Sequence, residues 1–209
     1  LDDLDSGARS PFAYSLCRPP GHHAFADQAG GFCYLNNTAI AAQLSRDRGV
    51  GKVAIVDVDV HHGNGTQGIF YARSDVLTVS LHGDPAQFYP FYAGYSEESG
   101  ADDGRGFNLN HPLPYGTGDD PYVAELAKAV EEIEAFAPQL LIVALGLDAS
   151  EHDGHQAFLK VTTDGFSRIG RTLGALGLPT LLVQEGGHMS DYLGPNLAAA
   201  LAGFESVRD

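Results

Sequence analysis

The nine residues KVAIVDVDV at positions 52–60 read as a strand covered on both faces. They are β-branched and apolar with little alternation until acidic residues appear near the end, the pattern of a strand inside a parallel sheet. Three more runs share that character: VLTVSLH (76–82), QLLIVALGLD (139–148) and PTLLVQE (179–185). Helical patterns lie between and around them: NNTAIAAQLSRDRG (36–49), DDPYVAELAKAVEEIEAFAP (119–138), TDGFSRIGRTLGALG (163–177) and GPNLAAALAGF (194–204). Strands alternating with amphipathic helices predict an α/β fold with a mostly parallel sheet. The Gly- and acid-rich stretch 92–118 carries no periodic signal, and its length reads as a functional rim rather than a linker.

The chain has 209 residues, which suits one domain over 1–209 with one sizeable core. Asp and Glu number 27 against 12 Lys and Arg, a formal net charge of -15. A surface this acidic repels phosphates, so nucleic acid is not an expected partner, whereas cationic molecules are favoured. No apolar run reaches the ~18 residues a membrane helix needs. The opening LDDLDSGARSPF lacks the basic and apolar regions of a signal peptide. Cys17 and Cys33 have neither a disulfide framework nor a CxxC knuckle around them, and read as free thiols in a reducing cytoplasm.

Polar residues collect where the four strands end. The first supplies Asp57, Asp59, His61 and His62, the second Ser80, His82 and Asp84, the third Asp148, and the fourth Glu185, Gly186, Gly187 and His188. Ligands of open parallel sheets bind at the carboxyl ends of strands. Asp57, Asp59 and His61 are spaced i, i+2, i+4, so in extended chain they point the same way. Two carboxylates and an imidazole crowded at a buried edge call for a cation to neutralise them. A solvated, acid-rich loop is the bland alternative, and the agreement of three separate segments argues against it.

The runs RPPGHHA (18–24), GGFCYLNN (30–37), DVDVHHGNGT (57–66), VSLHGDP (79–85), GLDASEHD (146–153) and QEGG (184–187) resemble the ordered motif series of histone deacetylases and acetylpolyamine amidohydrolases. HGDP and the following FYPFYAGYSEESG are similar to the acetylpolyamine branch in particular. The resemblance implies a three-layer α/β/α fold of the arginase/deacetylase type. It implies that Asp59, His61 and Asp148 bind zinc, with iron as the cellular alternative. Two oxygens and one nitrogen would leave a fourth position open, as in catalytic zinc sites. His22 and His23 match the tandem pair that handles protons, with Asp57 the partner of His22 and Asn64 that of His23. The implied reaction is metal-assisted hydrolysis of an acylated amine, small molecule or peptide, with His23 as general base. The Gly31 carbonyl would accept from the substrate amide, and Phe32 and Tyr89 would wall a narrow channel. The family also binds potassium. Asp57, Asp59, His61, Ser80 and Leu81 match an inner site; Phe70, Arg73 and Val76 match an outer one, where hard oxygen donors suit such an ion.

The chain departs from the family pattern in two places. His188 stands where a catalytic tyrosine usually follows the glycines, and losing one oxyanion donor costs roughly 2.7–4 kcal/mol of transition-state stabilisation. Reduced activity on plain acetamides and better turnover of activated acyl groups are therefore expected. His188 also prompts two alternatives, a weakly active or non-catalytic acetyl-group binding module and an acyl esterase. The tandem histidines also stand unusually early, so the family's N-terminal part, with the sheet's first strands and part of the rim, is expected to be absent. In the acetylpolyamine branch that part helps form the dimer, which leaves homo-oligomerisation open here. His155 is a candidate for the channel mouth, while His82, His111 and His152 read as structural or exposed. An arginase-like ureohydrolase would need two manganese ions and a DAHxD-type run, and DVDVHH stands instead.

Overall fold

A computed structural model describes residues 12–154 and 157–208. His155, expected at the channel mouth, and most of the opening segment read as free of a signal peptide lie outside the described residues. The chain runs β1 (Phe12–Ser15), α1 (Asn37–Asp47), β2 (Val53–Asp57), α2 (Asn64–Phe70), β3 (Val76–Gly83), β4 (Asn108–Leu113), α3 (Asp119–Phe136), β5 (Leu140–Leu145), α4 (Thr163–Gly174), β6 (Thr180–Gln184) and α5 (Leu193–Glu205). Among the described residues the sheet has the order β1-β6-β5-β2-β3-β4, and every pairing is parallel.

Alternation along the buried strands divides the core into two layers. Ala54, Val56, Leu77, Val79, Leu141 and Val143 meet α3, α4 and α5 through Tyr122, Leu126, Ile133, Phe166, Ile169 and Phe204. Val53, Ile55, Val76, Leu140 and Ile142 face the other way, onto Ala39 and Ala42 of α1 and Phe70 of α2. Each Leu, Ile or Phe buried this way contributes about 1.5–3 kcal/mol relative to exposure. The expected α/β/α layering is thus what the chain adopts. No described helix is long and apolar enough to cross a membrane.

Two strands and one helix fall outside the sequence expectation. The stretch 92–118 read as rim contains β4, preceded by a turn of 3₁₀ helix at Asp102–Gly104. β4 lies at a sheet edge, where Pro112 is tolerated because the outer ladder needs no donor. Its inward positions carry Asn108 and Asn110, whose amides both donate to Gln67 Oε1 at 2.9 Å. β2 also stops at Asp57, short of the expected 60, and residues 58–63 form bends before α2. Asp59 and His61 are therefore aimed by a turn, not by the pleat of an extended strand.

Candidate metal centre and active site

Asp59, His61 and Asp148 offer ligand atoms that all lie within 4.8 Å of one another. Asp59 and His61 come from the bends after β2, and Asp148 from the turn after β5, the strand hydrogen-bonded beside it. Backbone amides hold the carboxylates. Val60 N donates to Asp148 Oδ1 at 2.9 Å, Gly186 N to Asp59 Oδ2 at 2.8 Å, and His61 N to Asp59 Oδ1 at 2.9 Å. His61 Nδ1 lies 3.1 Å from Asp59 Oδ1 and 3.3 Å from Asp148 Oδ2. Gly186 lets its backbone approach, since a Cβ there would collide with the Oδ2 atoms of both Asp148 and Asp59.

The electrostatics of the cluster are dominated by its two carboxylates. Burial lowers the His61 pKa, but hydrogen bonds to Asp148 and Asp59 outweigh it and lift the value to about 10. The two carboxylates beside it are at most 2% exposed. Burial and the Asp59 charge push Asp148 upward, while Asp59 ends below the usual carboxylate range because His22 and His61 outweigh its burial. Two buried carboxylates this close together call for a cation between them. The mixed oxygen and nitrogen donor set suits zinc or a related divalent metal.

The tandem histidines border the cluster, their ring centroids 4.1 Å apart. His22 Nδ1 meets Asp57 Oδ2 at 2.8 Å, and Nε2 stands 3.7 Å from Asp59 Oδ1. Burial would lower its pKa, but Asp59 and Asp57 raise it well above the normal value. His23 behaves oppositely: burial and the neighbouring His22 charge lower it to about 3. Its Nδ1 lies 2.6 Å from Asn64 Oδ1, and Asn64 Nδ2 donates to Tyr92 Oη at 2.7 Å. This order makes Nδ1 the protonated nitrogen of His23 and leaves Nε2 as a free acceptor. One imidazole is charged and its neighbour neutral.

A pocket of about 680 Å³ opens over these groups. His22, His23, Asp59, His61 and Asp148 line its floor, and Gly31, Phe32, Tyr89 and His188 its walls. Phe32 stands 88% exposed with φ of 66°, beside Gly31 with φ of 52°. Gly31 is required there, because a Cβ would strike the His23 ring. Its carbonyl faces the Cys33 thiol at 3.4 Å. The Tyr89 ring meets His23 edge-on at 5.1 Å. His188 lines the pocket as an exposed ring, its Nδ1 2.7 Å from Asp153 Oδ2.

The residues matched to potassium sites lie on neighbouring strands and on the segment between α2 and β3. Asp57 and Ser80 are register partners on β2 and β3, lining one small polar cavity with His62. Ser80 Oγ is engaged with His82 Nδ1 at 2.9 Å, and Leu81, matched through its backbone carbonyl, buries its side chain in the core. Phe70, Arg73 and Val76 follow one another at the end of α2 and the start of β3, where the Phe70 carbonyl accepts from Arg73 N at 2.9 Å. His82, His111 and His152 take other roles: His82 donates to the Gly94 carbonyl, His111 spans Glu125 and Glu132, and His152 stacks on Tyr192. Both cysteines are free thiols.

Three neighbours take roles that the sequence does not assign to them. Glu185 is fully buried and accepts from Gly21 N, His22 N and Thr38 Oγ at 2.6, 3.0 and 2.7 Å, so it orients the tandem histidines. Phe88 stacks on the His61 ring at 4.8 Å. Asp153 holds His188. The QEGG, FYPFY and SEHD runs contain these residues, but their partners are distant in sequence and no spacing rule connects them.

The histone deacetylase domain family matches residues 4–204. An acetylpolyamine amidohydrolase of Burkholderia pseudomallei is 51% identical over 199 residues, covering 95% of this chain and 58% of that protein. Acetylpolyamine amidohydrolase 2 of Pseudomonas aeruginosa is 50% identical over 205 residues, covering 98% of this chain and 59% of its own length. The crystal structure of the Burkholderia acetylpolyamine aminohydrolase superposes with a TM-score of 0.93 at 50% identity, covering 99% of this chain and 59% of that one. This chain therefore spans a little under three fifths of the relatives it matches. With the domain matched across nearly all its residues, the chain belongs to the histone deacetylase family.

Proposed function

We propose that this chain carries the hydrolytic site of a zinc-dependent amidohydrolase that removes acetyl or related acyl groups from amines. The observation that carries it is the meeting of Asp59, His61 and Asp148 beneath a pocket that also holds a neutral, buried histidine. When bound by those three residues, zinc would supply Lewis acidity toward the acyl carbonyl and toward water. His23, neutral and with Nε2 unoccupied, is the group to take a proton from water and pass it to the departing amine. Charged His22, held by Asp57, keeps His23 neutral and adds positive charge where the oxyanion develops. Asn64 sets the His23 tautomer without adding a charge. Gly31 O and the rings of Phe32 and Tyr89 would receive a linear acylated arm.

Acetylpolyamines and acetyl-lysine side chains both fit that description, and the names of the relatives favour the polyamine. The chain's acidity favours a cationic amine as well. Potassium at Asp57, Asp59, His61, Ser80 and Leu81, and at Phe70, Arg73 and Val76, belongs to the same proposal. Turnover of a trifluoroacetyl-lysine reporter should be abolished by a chelator, restored by zinc, and absent in Asp148→Ala. Chelator-insensitive turnover, or full activity of Asp148→Ala, would sink it. The exposed His188 favours one second reading, an acetyl-group binder with little turnover. Tight binding of an acetylated amine to the zinc-loaded protein without hydrolysis of any reporter would select that reading.

A further inference from the structure

The segment after β5 and the turn after β6 meet at one side-chain pair. Asp153 is 4% exposed, and both of its oxygens are engaged by a single residue. Oδ1 accepts the His188 backbone N–H at 2.8 Å, and Oδ2 faces His188 Nδ1 at 2.7 Å. The His188 ring is 58% exposed and lines the pocket above the metal ligands. Burial pushes the Asp153 carboxyl upward, and the contacts with His188 pull against that shift. Among the described residues no other cationic side chain pairs with it. The Asp59 charge also acts on Asp153 through space, Glu151 lies two positions before it, and the His152 ring is stacked on Tyr192 at the head of α5.

Two contacts to one residue do more than join two loops. The backbone bond sets where the chain turns, and the ring bond sets how the imidazole is rotated. A histidine whose Nδ1 faces a carboxylate keeps its proton on that nitrogen. Nε2 is then the atom left for whatever enters the pocket. We infer that Asp153 is a positioning residue, clasping His188 at two points so that Nδ1 stays protonated and Nε2 is presented to the substrate. The kinetic consequence rests on the hydrolytic reading of the pocket; the orientation and tautomer of the ring do not.

A purely structural brace predicts something different, and Asp153→Asn separates the two. Asparagine retains an oxygen for the His188 backbone N–H, so the brace survives. Its NH2 group then faces Nδ1, which must become the unprotonated nitrogen. The test is ring nitrogen NMR on the full chain, metal-free and zinc-loaded, at alkaline pH. The His188 signal is identified by its loss in His188→Tyr. The expected result is a proton on Nδ1 in the parent and on Nε2 in Asp153→Asn, in both metal states.

On the trifluoroacetyl-lysine reporter, Asp153→Asn turns Nε2 from an acceptor into an N–H donor facing the pocket, so kcat should rise about threefold or more, with KM changed by less than roughly twofold. In a His188→Tyr background the same substitution should have no further effect on kcat. An unchanged tautomer, or an equal rise of kcat in the tyrosine background, would overturn the inference. If the parent shows no chelator-sensitive turnover, the hydrolytic reading fails by itself, and the ring spectrum alone decides whether Asp153 sets the tautomer.

Discussion

Replacing Glu185 offers a quantitative test of how the tandem histidines are held. Its Oε2 receives two consecutive amides, Gly21 N at 2.6 Å and His22 N at 3.0 Å, while Oε1 receives Thr38 Oγ at 2.7 Å. Glu185 and Thr38 are fully buried and His22 is 2% exposed, so water does not stand ready as a substitute. A hydrogen bond to a charged group is worth about 1.5–3 kcal/mol. Three of them sum to more than any single substitution delivers, because the loop around Gly21 can relax and admit solvent. Breaking a buried, multiply bonded charge typically costs about 3–5 kcal/mol, and that is the expected loss for Glu185→Ala.

Glu185→Gln should be milder, on the order of 1 kcal/mol. Its carbonyl can still accept both amides, and its NH2 can donate to the Thr38 hydroxyl. Denaturant unfolding of the metal-free protein measures both losses. Reporter hydrolysis should fall roughly a hundredfold in Glu185→Ala, since a displacement of about 1 Å at His23 costs that much. An alanine variant within 1 kcal/mol of the parent, or glutamine and alanine variants of equal stability, would refute the role given to Glu185.

Other outcomes follow from the same geometry. Gly186→Ala drives a Cβ into the Oδ2 atoms of Asp59 and Asp148 at separations real Cβ atoms essentially never show. Ligand distances tolerate only about 0.2 Å of error, so zinc affinity should fall by about a hundredfold or more, as read by competition with a chromophoric chelator; parental affinity would contradict the assigned ligands. His188→Tyr should raise kcat/KM on plain acetylated amines about tenfold or more by supplying a fixed hydroxyl donor; no gain would show that His188 is not the weak point. His82 is fully buried, and its pKa is lowered to about 4, chiefly by burial. The unfolded chain then binds the extra proton between its ordinary value near 6.5 and about 4. This group's stability contribution is thus complete above that window and lost as pH falls through it, by on the order of 3 kcal/mol. Unfolding curves at several pH values should show this slope, and a flat profile that His82→Gln leaves unaltered would refute it.

The elements legible in the sequence are those whose burial is apolar. β2, β3, β5 and β6 announce themselves because both faces meet helices, and each packs Val, Ile or Leu into two core layers. β4 does not, since Asn108 and Asn110 face a polar network around Gln67 instead of a core. β1 is four residues long, half-buried and at an edge. α2, NGTQGIF, is too short and too rich in glycine to show a stripe. The chemistry was legible where it is local: Asp59 and His61 sit two residues apart, and His22 and His23 are adjacent. The contacts of Glu185 and Asp153 were not, because they reach across 163 and 35 positions to His22 and His188. Only folding supplies that information.

The choice of an imidazole beside two carboxylates has a consequence for how such a centre would fill. An imidazole coordinates only without its hydrogen, so a metal held by Asp59, His61 and Asp148 would be captured with release of acid, and less readily as the medium becomes more acidic. Loading would then follow ambient acidity as well as metal supply.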